Sequence, residues 1–98
     1  MAKVKPKQKI KRRRVTFSLE AMGAKEVLLM GDFNDWTTKT HPMKRNGNGV
    51  WNKTVMLPVG THEYKFLIDG HWRLDPQNNQ TCLNSFGSQN NVLKLTEA

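Results

Sequence analysis

Turn signals interrupt this 98-residue chain at intervals too short for helices of useful length, and the segments between them alternate apolar and polar residues. Asn46-Gly47-Asn48-Gly49 divides residues 43–45 from residues 50–57, Pro58 and Gly60 end the next segment, and Asp69-Gly70 divides residues 62–68 from residues 71–74. Asn-Gly and Asp-Gly supply the positive φ angles that tight hairpin turns require. Val15, Phe17 and Leu19 fall on one side of their segment while Thr16, Ser18 and Glu20 fall on the other, the period of a half-buried strand. Residues 26–31 are a denser apolar run, as expected of a strand covered on both sides or at a sheet centre, and residues 91–95 form the last clear strand. No window sustains a helical period. These features imply an all-β sandwich or barrel of roughly seven strands.

Charge placement narrows the class of ligand. The net charge is +8, but Lys3, Lys5, Lys7, Lys9, Lys11, Arg12, Arg13 and Arg14 supply eight of the sixteen cations. Residues 15–98 then carry eight cations and eight anions, a neutral body behind a basic arm. Residues 1–14 hold only Met1, Ala2, Val4 and Ile10 as apolar residues, too few to offset ordering entropy, so they read as a flexible tail before a single domain at 15–98. Any electrostatic partner is met by the arm: an acidic protein or, weakly and with salt sensitivity, a nucleic acid. The lone Cys82 cannot form an internal disulfide and is expected as a small buried or half-buried residue. With no apolar run after the basic segment, a cytoplasmic location without membrane contact is expected.

The Asp69-Gly70 turn permits a geometric step, because a two-residue hairpin loop fixes which residues face one another. Ile68 pairs with His71, Leu67 with Trp72, Phe66 with Arg73 and Lys65 with Leu74. Tyr64, Phe66 and Ile68 form the core-facing set, so Lys65, Leu67 and Trp72 share the outer face, with Lys65 and Trp72 diagonal neighbours at about 7–8 Å. A hairpin with another turn length would reverse Trp72 into the core. An exposed indole beside an ammonium suits a sugar, which offers an apolar C–H face and a rim of hydroxyls. Trp36, in Gly31-Asp32-Phe33-Asn34-Asp35-Trp36, is placed outward with Phe33 plugging the core, although a buried Trp36 competes with that reading. Trp51 reads as a packing or edge residue.

Between Pro76 and Asn91, eight of sixteen residues are Asn or Gln. Primary amides both donate and accept, which matches vicinal hydroxyls, yet for most of them an ordinary polar connection is the better account. Phe86 within that stretch must dock on the domain or touch a ligand.

Taken together, GDFNDW at 31–36, VWNKTVMLPVGTHEYKFLIDGHW at 50–72, Asp75-Pro76 and SFGSQNNVL at 85–93 resemble carbohydrate-binding module family 48 and the glycogen-binding domain of the AMP-activated protein kinase β subunit. The resemblance covers nearly all of residues 15–95 in order and spacing. It implies an immunoglobulin-like β-sandwich that binds α-1,4-linked glucan, with stacking tryptophans at Trp36 and Trp72, a sugar-contacting lysine at Lys65 and an asparagine at Asn90. The family's inserted leucine falls on Phe86 and its threonine on Ser88. Chain-length or branch preference can therefore differ here.

An enzyme is not expected. Asp32, Asp35, Asp69 and Asp75 sit at turns or beside proline rather than as a pair flanking one bond. His41, His62 and His71 lack metal-ligand spacing with Cys82, and no Gly-rich phosphate loop precedes a helix. No cofactor or metal is implied. A single-strand nucleic-acid binder, the competing class, should line its aromatic face with cations, and the face around Trp72 offers chiefly Lys65.

Overall fold

A computed structural model describes residues 11–96. Eight strands occur in the order β1 (Arg12–Glu20), β2 (Val27–Gly31), β3 (Lys44–Arg45), β4 (Val50–Pro58), β5 (Gly60–Ile68), β6 (His71–Arg73), β7 (Thr81–Leu83) and β8 (Gln89–Leu95). One turn of 3-10 helix, Asp32–Asn34, follows β2. The strands form two antiparallel sheets, β1-β4-β3 and β2-β5-β8-β7, with β6 added to β5. They face one another as the expected immunoglobulin-like β-sandwich. The short β7, inside the amide-rich stretch, raises the strand number above the seven read from the sequence.

The core follows from the alternation. Phe17 and Leu19 of β1 with Trp51 and Leu57 of β4 meet Val27 and Leu29 of β2 and Tyr64 and Phe66 of β5. Ring contacts knit the layers, Phe17 to Tyr64 at 4.8 Å edge to face and Phe17 to Phe33 at 6.0 Å. All five residues of β2 are buried. By strand order β2 ends its sheet, but its outer edge is covered: Leu29 N donates to His41 O, Met43 N donates to Val27 O, and Pro42 bridges Leu28. The dense apolar run reflects burial on both faces: Val27 and Leu29 join the core between the sheets, and Leu28 and Met30, which alternate with them, are buried as well.

β1 starts at Arg12, three residues before the Val15 start read from the sequence. Arg12, Arg13 and Arg14 pair with Pro58, Leu57 and Met56 while their side chains stay exposed. A strand edge satisfies backbone groups whatever the side chains, so a charged run can extend a ladder that its composition argues against. The reading of residues 1–10 as flexible lies outside the described residues. Between β4 and β5 the chain crosses from one sheet to the other at Pro58-Val59-Gly60, where Gly60 takes φ of 132°.

The turn between β5 and β6 orients the outer face of the larger sheet. Asp69 and Gly70 have φ of 48° and 85°, both left-handed as a two-residue hairpin turn needs, and the resulting register pairs Ile68 with His71, Leu67 with Trp72 and Phe66 with Arg73. The pairing of Lys65 with Leu74 does not form, because β6 ends at Arg73. Asp69 also reaches across the fold, accepting from Lys25 N at 3.0 Å and Glu26 N at 2.7 Å.

Candidate functional site

Trp36 is set by the turn after β2. Asn34, buried, accepts from Gly31 N and Trp36 N through Oδ1 and donates through Nδ2 to Leu29 O. This knot holds Asp35 and Trp36 at φ of 55° and 56°, a left-handed conformation that costs a bulky residue on the order of 1–2 kcal/mol. Gly31 is required by contact: a Cβ there would lie 2.5 Å from the Phe33 ring and 2.7 Å from Glu63 O. Phe33 turns inward as expected, half-buried against the core, and Trp36 turns to the outer face of the five-stranded sheet. There its ring lies 6.3 Å from that of Trp72, inclined at 69°.

Trp72, on the exposed side of β6, is 52% exposed. Lys65 lies on the same face, but it is only 8% exposed, more buried than a residue on an outer sheet face is expected to be. Its ammonium sits 5.7 Å from the centre of the Trp72 ring and makes a long 3.4 Å hydrogen bond to Ser88 Oγ. Lys65 is therefore covered by the indole on one side and the loop after β7 on the other. Beneath the sheet, Tyr64 donates to Asp75 Oδ2 at 2.7 Å and accepts from Asn78 Nδ2. Burial holds its phenol well above the ordinary range, with the Asn78 amide opposing the shift and the Asp75 carboxylate adding to it.

The loop joining β7 to β8 supplies the other wall. Phe86 is 91% exposed and Leu83 74%, an unusual display for large apolar groups on a small domain. Asn90 is buried and donates to Glu63 Oε1 at 3.0 Å. Between the walls lies an open groove of about 800 Å³ lined by Asp32, Trp36, Glu63, Lys65, Trp72, Leu83, Asn84, Ser85, Phe86, Ser88 and Asn90. The six residues singled out from the sequence all line it. Sequence reading missed Glu63 and Leu83. Glu63 stands two residues from Lys65 on the same strand, so the period-two rule already placed it on that face. Leu83 carried only the weak signal of an apolar residue beside an amide-rich loop.

Several amides are architectural. Asn91, fully buried, accepts from Asp75 N and donates to Asn78 O, and Asn78 donates to Val92 O. Asp32 and Asp75 do more than end turns: Asp32 accepts from Glu63 N and lies 3.5 Å from His62. Trp51 is buried, its Nε1 donating to Ala21 O, with the Arg45 guanidinium 5.8 Å from its ring. Cys82 is half-buried, and burial together with the adjacent Glu63 pushes its thiol up. Among the described residues no group of three or more His, Cys, Asp or Glu is placed to hold a metal ion.

Chemically the groove offers two inclined aromatic platforms, a sheltered ammonium, two serine hydroxyls, amides and two carboxylates. One cation against Asp32 and Glu63 gives a phosphate chain no electrostatic reason to enter, so nothing in this groove favours a nucleic acid.

Residues 14–98 match the family model described as the glycogen recognition site of AMP-activated protein kinase. The human 5'-AMP-activated protein kinase subunit beta-2 is 35% identical over 95 residues, covering 97% of this chain and 33% of the subunit. Protein PTST homolog 2, chloroplastic, of Arabidopsis thaliana is 41% identical over 73 residues, 74% of this chain and 13% of that protein. Protein FLOURY ENDOSPERM 6, chloroplastic, of Oryza sativa subsp. japonica is 38% identical over 73 residues, again 74% and 13%. The chain thus spans a third or less of these relatives.

Proposed function

The chain belongs to the family of glycogen recognition sites of AMP-activated protein kinase, and from that premise we propose that it binds α-1,4-linked glucan, without catalysis, in the groove between Trp36, Trp72 and the loop at residues 84–88. The observation that carries the reading is the inclination of the two indoles, 69° at 6.3 Å. Parallel platforms suit a flat chain. Inclined ones receive successive sugar rings only from a chain whose rings turn relative to one another, as those of a curved α-glucan do. Stacking accounts for the apolar faces of the rings, while Lys65, Ser88 and Asn90 meet hydroxyl oxygens and Glu63 and Asp32 accept from hydroxyl hydrogens. The volume of the groove lies within the range of small-molecule ligand sites.

The kinase and PTST relatives carry such a domain within longer chains, which supports an adaptor role in which this domain brings an attached or bound partner to glycogen or starch. Calorimetry with maltoheptaose and cellohexaose tests the binding reading. Maltoheptaose should bind and cellohexaose should not, and Trp72→Ala should weaken maltoheptaose by about fivefold or more, given about 1–3 kcal/mol for an aromatic stacking platform. Equal binding of the two sugars, or an unaffected Trp72→Ala, would count against it.

A further inference from the structure

By composition Asn84 is one amide among many, yet its side chain makes four hydrogen bonds inside the groove's loop. Oδ1 accepts from Phe86 N at 2.9 Å and Ser88 N at 3.1 Å, while Nδ2 donates to Ser88 Oγ at 2.8 Å and Asn90 Oδ1 at 3.1 Å. Both hydrogens and both lone pairs of the amide are thereby engaged. The backbone closes the same loop, with Asn84 N donating to Ser88 O and Gly87 N to Asn84 O, and Gly87 takes φ of 83°.

The three residues that Asn84 engages, Phe86, Ser88 and Asn90, stand at the proposed ligand on independent grounds. Phe86 has almost no cover of its own, so local backbone bonds must fix its direction. Ser88 Oγ already accepts from Asn84 and, at longer range, from Lys65; its own hydrogen is left to point at a ligand oxygen. Asn90 is pinned at both ends of its amide, to Glu63 and to Asn84.

We infer that Asn84 is a positioning residue: it fixes the loop so that Phe86 stands as a preformed apolar wall and Ser88 acts as a donor, removing an ordering cost that binding would otherwise bear. This role rests on the glucan reading and extends it from the groove's contacts to the side chain that sets their geometry.

The test measures maltoheptaose affinity by calorimetry for the wild type, Asn84→Ala, Phe86→Ala, the double variant and Asn84→Asp, with amide hydrogen exchange on each. Asn84→Ala should weaken binding about tenfold and, added to Phe86→Ala, markedly less than that, because a deleted ring cannot be misplaced. The Phe86 and Ser88 amides should exchange faster in Asn84→Ala while those of β2 and β5 hold. Asn84→Asp keeps the two accepted bonds and loses the two donated ones, so it should restore that protection but only part of the affinity. If Asn84→Ala fails to fold, Asn84→Asp decides: reduced affinity with the loop protected supports the inference, and full affinity overturns it. Binding by Asn84→Ala within about twofold of wild type, or losses fully additive with Phe86→Ala, would also overturn it. A wild type that does not bind maltoheptaose overturns the glucan reading and takes this inference with it, whereas a wild type that binds while its Asn84 variants match it overturns this inference alone.

Discussion

Single residues in this domain are held by side-chain amides and by one histidine that must stay neutral. His41 accepts on Nδ1 from Asn34 Nδ2 at 2.8 Å, and Thr40 Oγ1 lies 3.0 Å from the same nitrogen. Burial, and secondarily the charge of Lys53, lowers its proton affinity. A depressed histidine contributes stability that is present above its unfolded value near 6.5 and is lost as pH falls through the folded one. Urea midpoints taken at pH 7.5 and pH 5.5 should therefore fall more for the wild type than for His41→Gln, and an equal fall in both would remove His41 from the account. Its partner Asn34 is the residue that fixes Trp36, so acid should loosen that platform first. The placement of Trp36 was the least legible part of the site. Left-handed backbone at a tryptophan leaves no compositional trace, so the turn left a buried Trp36 in competition with an outward one and mainly the family resemblance pointed to the groove. Lys65 and Trp72 were legible because a two-residue turn converts spacing directly into facing.

At the level of elements, the β5–β6 hairpin shows why that conversion worked. The Asp69 carboxylate both tolerates the left-handed turn and ties it to residues 25–26, so the turn cannot slip without breaking contacts elsewhere. Asp69→Ala should cost about 1–2 kcal/mol in urea unfolding, combining lost charge-assisted bonds with strain, and Asp69→Asn distinctly less, since it keeps an acceptor and the αL tolerance. An Asp69→Ala variant as stable as the wild type would show that the carboxylate link contributes nothing. The amide-rich stretch at residues 76–91 behaved differently. Its amides had two destinies open to them, architecture or ligand, and sequence cannot separate them because both use the same donor and acceptor chemistry. Asn78 and Asn91 went to architecture, Asn90 to the groove, and Asn84 joins the two. The added strand length at Arg12–Arg14 was hidden for a related reason, since a ladder can be extended by backbone pairing alone.

For the whole molecule, the sandwich separates two tasks. The space between the sheets buries the alternating apolar residues, while the outer face of the five-stranded sheet gathers side chains from β5, β6, β7, β8 and two turns into one groove. The class of fold was legible because alternation and turn spacing are local signals that add along the chain. The groove is a product of topology: Trp36, Trp72 and Phe86 meet only because β2, β6 and the β7–β8 loop all adjoin β5 or β8. The three indoles report on this arrangement separately, two at the groove and one, Trp51, bonded to Ala21 O inside the core. Titration of the chain with maltoheptaose, following each indole N–H by NMR, tests the central claim most directly. The Trp36 and Trp72 signals should shift while Trp51 stays still; silence from all three at millimolar sugar, or a Trp51 shift as large as the others, would contradict it.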